Sequence, residues 1–131
     1  MYLIFEMIPV VIDTNVLLLQ FQKRVNLEEE IERLIEAPHF FVVLEQCVDE
    51  LKAMASKQRK FSLAARAALA LIRVKYKVDK STAGKPDDAM LNYCVANGGI
   101  LCTLDVALRK KARDKGVKAV FLRGESHLSL A

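Results

Sequence analysis

Short apolar runs alternate with longer stretches of helical spacing along this chain, and that alternation leaves few folds open. Pro9 to Ile12 (PVVI) has the pattern of a short buried strand and ends at Asp13. Leu27 to Ala37 reads as a helix, with Leu27, Ile31, Leu34 and Ile35 on one side, stopped by Pro38. Phe40 to Leu44 (FFVVL) is rich in aromatic and β-branched residues and reads as a second strand. Gln46 to Lys57 is helical, its stripe made by Cys47, Val48, Leu51, Met54 and Ala55. Phe61 to Arg73 is an alanine-rich helix for which Leu63, Ala67, Ala70 and Leu71 are expected to share one side. Tyr76 to Val78 reads as a brief edge strand and Ser81 to Pro86 as a loop. Asp88 to Ala96 is a helix ended by Asn97-Gly98-Gly99. Ile100 to Thr103 is a buried strand, Leu104 to Lys115 a helix ended by Gly116, and Ala119 to Leu122 a last strand before a short tail. The order is β-α-β-α-α-β-α-β-α-β. Strands separated by helices pair in parallel, and uniformly apolar strands need cover on both faces. The expected architecture is α/β: one three-layer α/β/α domain over residues 1–131, its core about 7–124, around a parallel sheet of about five strands.

Composition agrees with a chain that buries a core. Of 131 residues, 53% are hydrophobic and 27% charged, which excludes global disorder. No apolar run approaches the ~18–20 residues of a membrane span. Met1 to Ile12 is broken by Glu6 and Pro9 and carries no basic leader, so a soluble, cytoplasmic protein with no membrane partner is expected. Cys47, Cys94 and Cys102 form no close pair and sit among apolar residues, which reads as buried thiols in a reducing compartment. His39 and His127 have no spaced partner, so a zinc site lacks ligands. The net charge is +4, and the middle of the chain is basic: Lys52, Lys57, Arg59, Lys60, Arg66, Arg73, Lys75, Lys77 and Lys80 face one acid, Asp79. Such a section suits a polyanion, and equally a solvated lysine-rich face.

Four acids fall where strands pass into helices, or just beyond. Asp13 follows the first strand, Glu50 lies in the helix after the second, Asp88 opens a helix beside Asp87, and Asp105 follows the fourth strand. Ligands of open parallel sheets bind outside the carboxyl ends of the strands. Each Asp could equally be a helix cap. Glu50 resists that reading, because it stands well inside its helix at the edge of the apolar stripe and has no cation one turn earlier. A cation shared with other carboxylates would settle its charge. Oxygen ligands without Cys or His point to Mg²⁺ or Mn²⁺, which suits phosphodiester hydrolysis beside basic flanks.

Taken together, VVIDTNVLL (Val10 to Leu18), VDELKAM (Val48 to Met54), KPDDAML (Lys85 to Leu91), CTLDVALRKKARDKGV (Cys102 to Val117) and VFLRG (Val120 to Gly124) resemble a PIN-domain ribonuclease over nearly the whole chain. LLLQFQ and LRKKARDKGV are most similar to the archaeal and eukaryotic members that process small-subunit ribosomal RNA. The resemblance implies a PIN fold and a single-strand endoribonuclease using Mg²⁺ or Mn²⁺. It assigns metal and catalytic roles to Asp13, Glu50, Asp88 and Asp105, and supporting polar roles to Asn15 and Thr103. Asp87 adds a supporting acid beside Asp88, which matches the family position better. Members often carry a further acid where this chain has Ala107. A homodimer is also implied.

Basic residues supply candidate RNA contacts: Lys57, Arg59 and Lys60 between two helices, and Arg109, Lys110 and Arg113 on the helix after the fourth strand. With aromatics at 7% and no Trp, base stacking is not expected to lead recognition. Two other readings stand beside the nuclease: a non-catalytic RNA-binding or ribosome-assembly protein, and a toxin-type nuclease with an antitoxin partner.

Overall fold

The structure is a computed structural model that describes residues 7–23, 25–57, 60–80, 84–123 and 127–131. Its elements in chain order are β1 (Ile8–Ile12), α1 (Thr14–Gln22), α2 (Leu27–Leu34), β2 (His39–Leu44), α3 (Glu45–Lys57), α4 (Ser62–Lys75), β3 (Lys77–Asp79), α5 (Pro86–Asn97), β4 (Ile100–Cys102), α6 (Val106–Asp114), β5 (Ala119–Arg123) and β6 (His127–Leu130).

The strands form one sheet in the order β3-β2-β1-β4-β5-β6. Five of them run parallel; β6 returns antiparallel to β5, with Leu122 opposite Leu128. Val10, Val11 and Ile12 are fully buried, as the central position of β1 between β2 and β4 requires. On the helical side, α1, α3 and α4 pack on one another, while α5 lies against β1 and β4 and also meets α6. The return from α5 into β4 is tight. Gly98 caps α5 in the left-handed region at φ 62°, and a Cβ on Gly99 would stand 3.0 Å from the Pro9 carbonyl oxygen. All three cysteines are free and buried. Among the described residues no helix is long and apolar enough to cross a membrane.

The structure departs from the sequence expectation in four places. α1 is an additional helix: its centre, Val16 to Leu19, is an unbroken apolar run that is buried throughout, and no amphipathic stripe announces it. The tail contains β6, a sixth strand. On α4 the inward face is Ala65, Ala68 and Ile72, whereas Leu63 is 79% exposed; apolar residues surround this helix, so hydrophobicity alone does not choose its face. Finally, α5 starts at Pro86, whose fixed φ and missing N–H suit a first helical position, and not at Asp88. Part of the expected Ser81 to Pro86 loop and the end of VFLRG lie outside the described residues.

β6 is anchored from α2. Its Leu128 N–H donates to Glu30 Oε1 at 2.9 Å, and Arg33 Nη2 donates to the Leu128 carbonyl at 2.8 Å. Two side chains thereby play the part of a neighbouring strand at the sheet edge.

Candidate active site

The chain leaves β1 for β2 and β3 on one side, then returns to β4 and β5 on the other. The carboxyl ends of β1 and β4 therefore flank the switch point of the sheet, where open α/β folds bind ligands. Asp13 stands after β1, and Thr103 and Asp105 after β4. The backbone joins them: Asp13 N–H donates to the Cys102 carbonyl at 2.9 Å, and Thr103 N–H to the Val120 carbonyl at 3.0 Å.

Thr103 is fully buried and links two acids. Its hydroxyl donates to Asp13 Oδ2 at 2.8 Å and accepts the Asp105 N–H at 3.1 Å. Asp13 Oδ1 accepts the Thr14 N–H at 2.7 Å, so both carboxylate oxygens are oriented. Asp105 caps α6, its Oδ1 accepting from the N–H groups of Ala107 at 2.8 Å and Leu108 at 3.1 Å. Its Oδ2 makes no hydrogen bond among the described residues.

Glu50 arrives from α3. That helix follows β2 without an intervening residue, which leaves its second turn little freedom. Burial raises the Glu50 pKa; the nearby Thr14 hydroxyl opposes this, and the charges of Asp13 and Asp87 add to it. Burial likewise raises Asp13, against the lowering effect of Thr103 and the Thr14 amide, with Asp87 and Asp105 adding repulsion. Among the described residues neither group is in an ion pair. Cys47, one turn before Glu50, is fully buried, and burial pushes its thiol up to about 12. The Thr14 hydroxyl is buried with no hydrogen-bond partner of acceptable geometry, although it lies near enough to Glu50 and Cys47 to favour their ionised forms.

Of the two adjacent α5 acids, Asp87 is the one whose charge acts on Asp13 and Glu50. Helix phase is the reason. Asp87 is half-buried and lies three, four and seven residues before the buried Met90, Leu91 and Cys94, whereas Asp88 is exposed and lies three before the buried Leu91 but four and seven before the exposed Asn92 and Val95. The same spacing in the sequence carries this signal, once the helix is started at Pro86. Asn15 is exposed at the start of α1. Lys57 ends α3 exposed, and Lys60 stands 5.5 Å from the Phe61 ring centroid. Arg59 lies outside the described residues. Lys110 and Arg113 are exposed on α6, and Arg109 is half-buried there.

The donor set suits a hard divalent cation: carboxylate and hydroxyl oxygens, a buried Thr14 hydroxyl with no hydrogen-bond partner among the described residues, and acids whose charges repel one another. Among the described residues no group of three or more His, Cys, Asp and Glu side chains stands ready to hold a metal ion, so the acids are neighbours in field rather than a closed cage.

Residues 10–125 match a family described as PIN like domain. Ribonuclease VapC4 of Methanocaldococcus jannaschii is 30% identical over 128 residues, covering 95% of this chain and 97% of that protein. The PIN domain endonuclease Utp24 superposes with a TM-score of 0.74 at 18% identity, over 93% of this chain and 90% of its own. A chain of VapBC2 from Rickettsia felis, solved bound to a fragment of promoter DNA, superposes with a TM-score of 0.67 at 13% identity, over 88% of this chain and 100% of its own. The last two likenesses concern the fold.

Proposed function

Because this chain belongs to the PIN-like domain family of ribonucleases, we propose that it is a metal-dependent, single-strand endoribonuclease centred on Asp13, Glu50, Asp105 and the adjacent α5 acids Asp87 and Asp88, with Mg²⁺ or Mn²⁺ as cofactor. The observation that carries this reading is the joining of Asp13 and Asp105 through the buried Thr103 hydroxyl at the sheet switch point, with the charge of Asp13 also acting on Glu50. When bound, the divalent cation neutralises these carboxylates and the approaching phosphate and acidifies water. The protein's own residues do the rest. Thr103 and the Thr14 amide fix Asp13, and Asp105 keeps one oxygen free beyond its cap. Glu50, with its proton affinity raised by burial, suits acceptance of the proton from the attacking water. In-line attack at phosphorus then leaves a 5′-phosphate and a 3′-hydroxyl.

Maturation of ribosomal RNA is the role suggested by the LLLQFQ and LRKKARDKGV segments. A toxin-type ribonuclease with an antitoxin partner is the second reading, favoured by the 30% identity to a VapC ribonuclease along nearly its whole length. Ala107, where relatives often have an acid, is the feature that favours a non-catalytic RNA-binding or assembly role. A homodimer belongs to the proposal and is checked by sedimentation. The deciding experiment incubates single-stranded RNA with Mn²⁺ or Mg²⁺, with and without a chelator. Cleavage is expected only with metal and is expected to vanish in Asp13→Asn. Cleavage that survives this substitution overturns the assignment, and binding without any cleavage promotes the non-catalytic reading.

A further inference from the structure

We infer that the flank of α6 facing β5 is a second nucleic-acid contact, an anchoring surface for single-stranded RNA phosphates outside the acidic centre; it rests on RNA being the substrate proposed above. Arg109, Lys110 and Arg113 line a shallow cavity of about 200 Å³ together with Val117, Ala119 and Phe121. Ala119 and Ala131 close one end through reciprocal backbone hydrogen bonds of 2.8 and 2.9 Å. Among the described residues no Asp or Glu side chain lines the cavity. None of its three cations takes part in an ion pair or side-chain hydrogen bond among the described residues. The ion-paired lysines and arginines of the described residues lie elsewhere: Arg33 with Glu30, Lys75 with Glu28, and Lys77 with Asp79.

The Arg109 guanidinium carbon lies 4.1 Å from the Phe121 ring centroid. Stacking holds the planar fork in place while using none of its N–H donors, which remain free for phosphate oxygens. Arg123, exposed and two residues beyond Phe121 on the same face of β5, extends the basic row. The position relative to the centre is set by α6. Its cap is Asp105, so Arg109 and Arg113 stand roughly 6 and 12 Å along the helix axis from that acid. A nucleic-acid strand rising ~3.4 Å per nucleotide crosses this span in about two to four nucleotides. RNA with one phosphate at the acids would thus lay the neighbouring ones along α6.

The test measures binding of a labelled uridine oligomer in EDTA by fluorescence anisotropy across a salt series, for the wild type and an Arg109→Ala, Lys110→Ala, Arg113→Ala variant. Loss of three phosphate contacts is expected to raise Kd about tenfold or more and to flatten the salt slope by roughly 2. Phe121→Leu, which keeps an apolar side chain and removes the stack, is expected to give part of that loss. Hydrolysis of bis(p-nitrophenyl) phosphate with Mn²⁺, a diester too small to reach α6, is expected to be unchanged in the triple variant. Circular dichroism establishes that the variants are folded. An unaltered Kd and salt slope in the folded triple variant overturn the anchoring surface even where RNA is cleaved. RNA binding that depends on these arginines, with no diester hydrolysis by any form, upholds the surface and removes the nuclease reading.

Discussion

Asp87→Asn and Asp88→Asn, made one at a time, separate the roles of two adjacent carboxylates. The first removes a charge felt by Asp13 and Glu50, and cleavage in Mn²⁺ is expected to fall by about 100-fold or more, the scale of losing one group made for the transition state. The second removes an exposed charge and is expected to leave the rate within about twofold. Equal losses in a discontinuous cleavage assay would sink this distinction. Thr103→Val leaves the Asp105 N–H and Asp13 Oδ2 without their shared partner. Removing an outer hydrogen bond of this kind costs about 10–100-fold in metal affinity or activity, and Thr103→Ser should restore it; Mn²⁺ titration calorimetry reads the difference. Burial raises the pKa values of Asp13 and Glu50 above the ordinary 3.8 and 4.5 in the metal-free protein. For metal-free stability the sign follows from the same shifts. A raised folded-state pKa contributes stability below the unfolded value and loses it as pH rises through the folded one. Glu50→Gln should therefore raise the metal-free Tm at neutral pH, by about 1–3 °C, and change nothing once both states are protonated. Glu50 is legible in the sequence because a carboxylate at the border of an apolar stripe needs an explanation. The Thr14 hydroxyl is not, because burial without a partner is a property of packing.

At the scale of elements, amphipathic segments were legible and uniform ones were not. The stripes of α2 and α3 give their position directly; Leu27 and Ile31, and Cys47 and Leu51, are the buried residues of each. α1 is hidden because a helix buried on nearly every side has no period to detect, and β6 because four residues with one polar alternation carry almost no signal. The start of α5 at Pro86 is hidden because proline reads first as a helix breaker and only its position in the first turn makes it compatible. Glu30 gives the element-scale prediction. The Leu128 amide and the Arg33 side chain lower its pKa below the ordinary 4.5, so its contribution to stability is present above that value and is lost as pH falls through the depressed one. Glu30→Ala should lower Tm at pH 7 by roughly 2–4 °C. Scanning calorimetry should show the gap closing on acidification; a gap independent of pH would mean that Glu30 acts through packing.

Across the whole molecule, the sheet order is what turns dispersed acids into a group. Parallel pairing was legible from the alternation of elements, but the reversal that sets β1 beside β4 was not, since it depends on which edge each crossover takes. Cation binding should appear as global stabilisation: Mn²⁺ at about 100 times its Kd adds roughly 2.7 kcal/mol to unfolding of the wild type. Asp13→Asn should lose most of that increment, which thermal melts at several Mn²⁺ concentrations measure directly. The clasp of α2 on β6 also decides how copies of this molecule can meet. With Glu30 and Arg33 occupying the Leu128 amide and carbonyl, the far rim of the sheet offers an incoming chain an interrupted template. The opposite rim is a three-residue strand carrying Lys77 and Asp79. Crowded molecules should therefore associate through their helices rather than by lengthening each other's ladders, and the folded protein should be a poor seed for fibre growth.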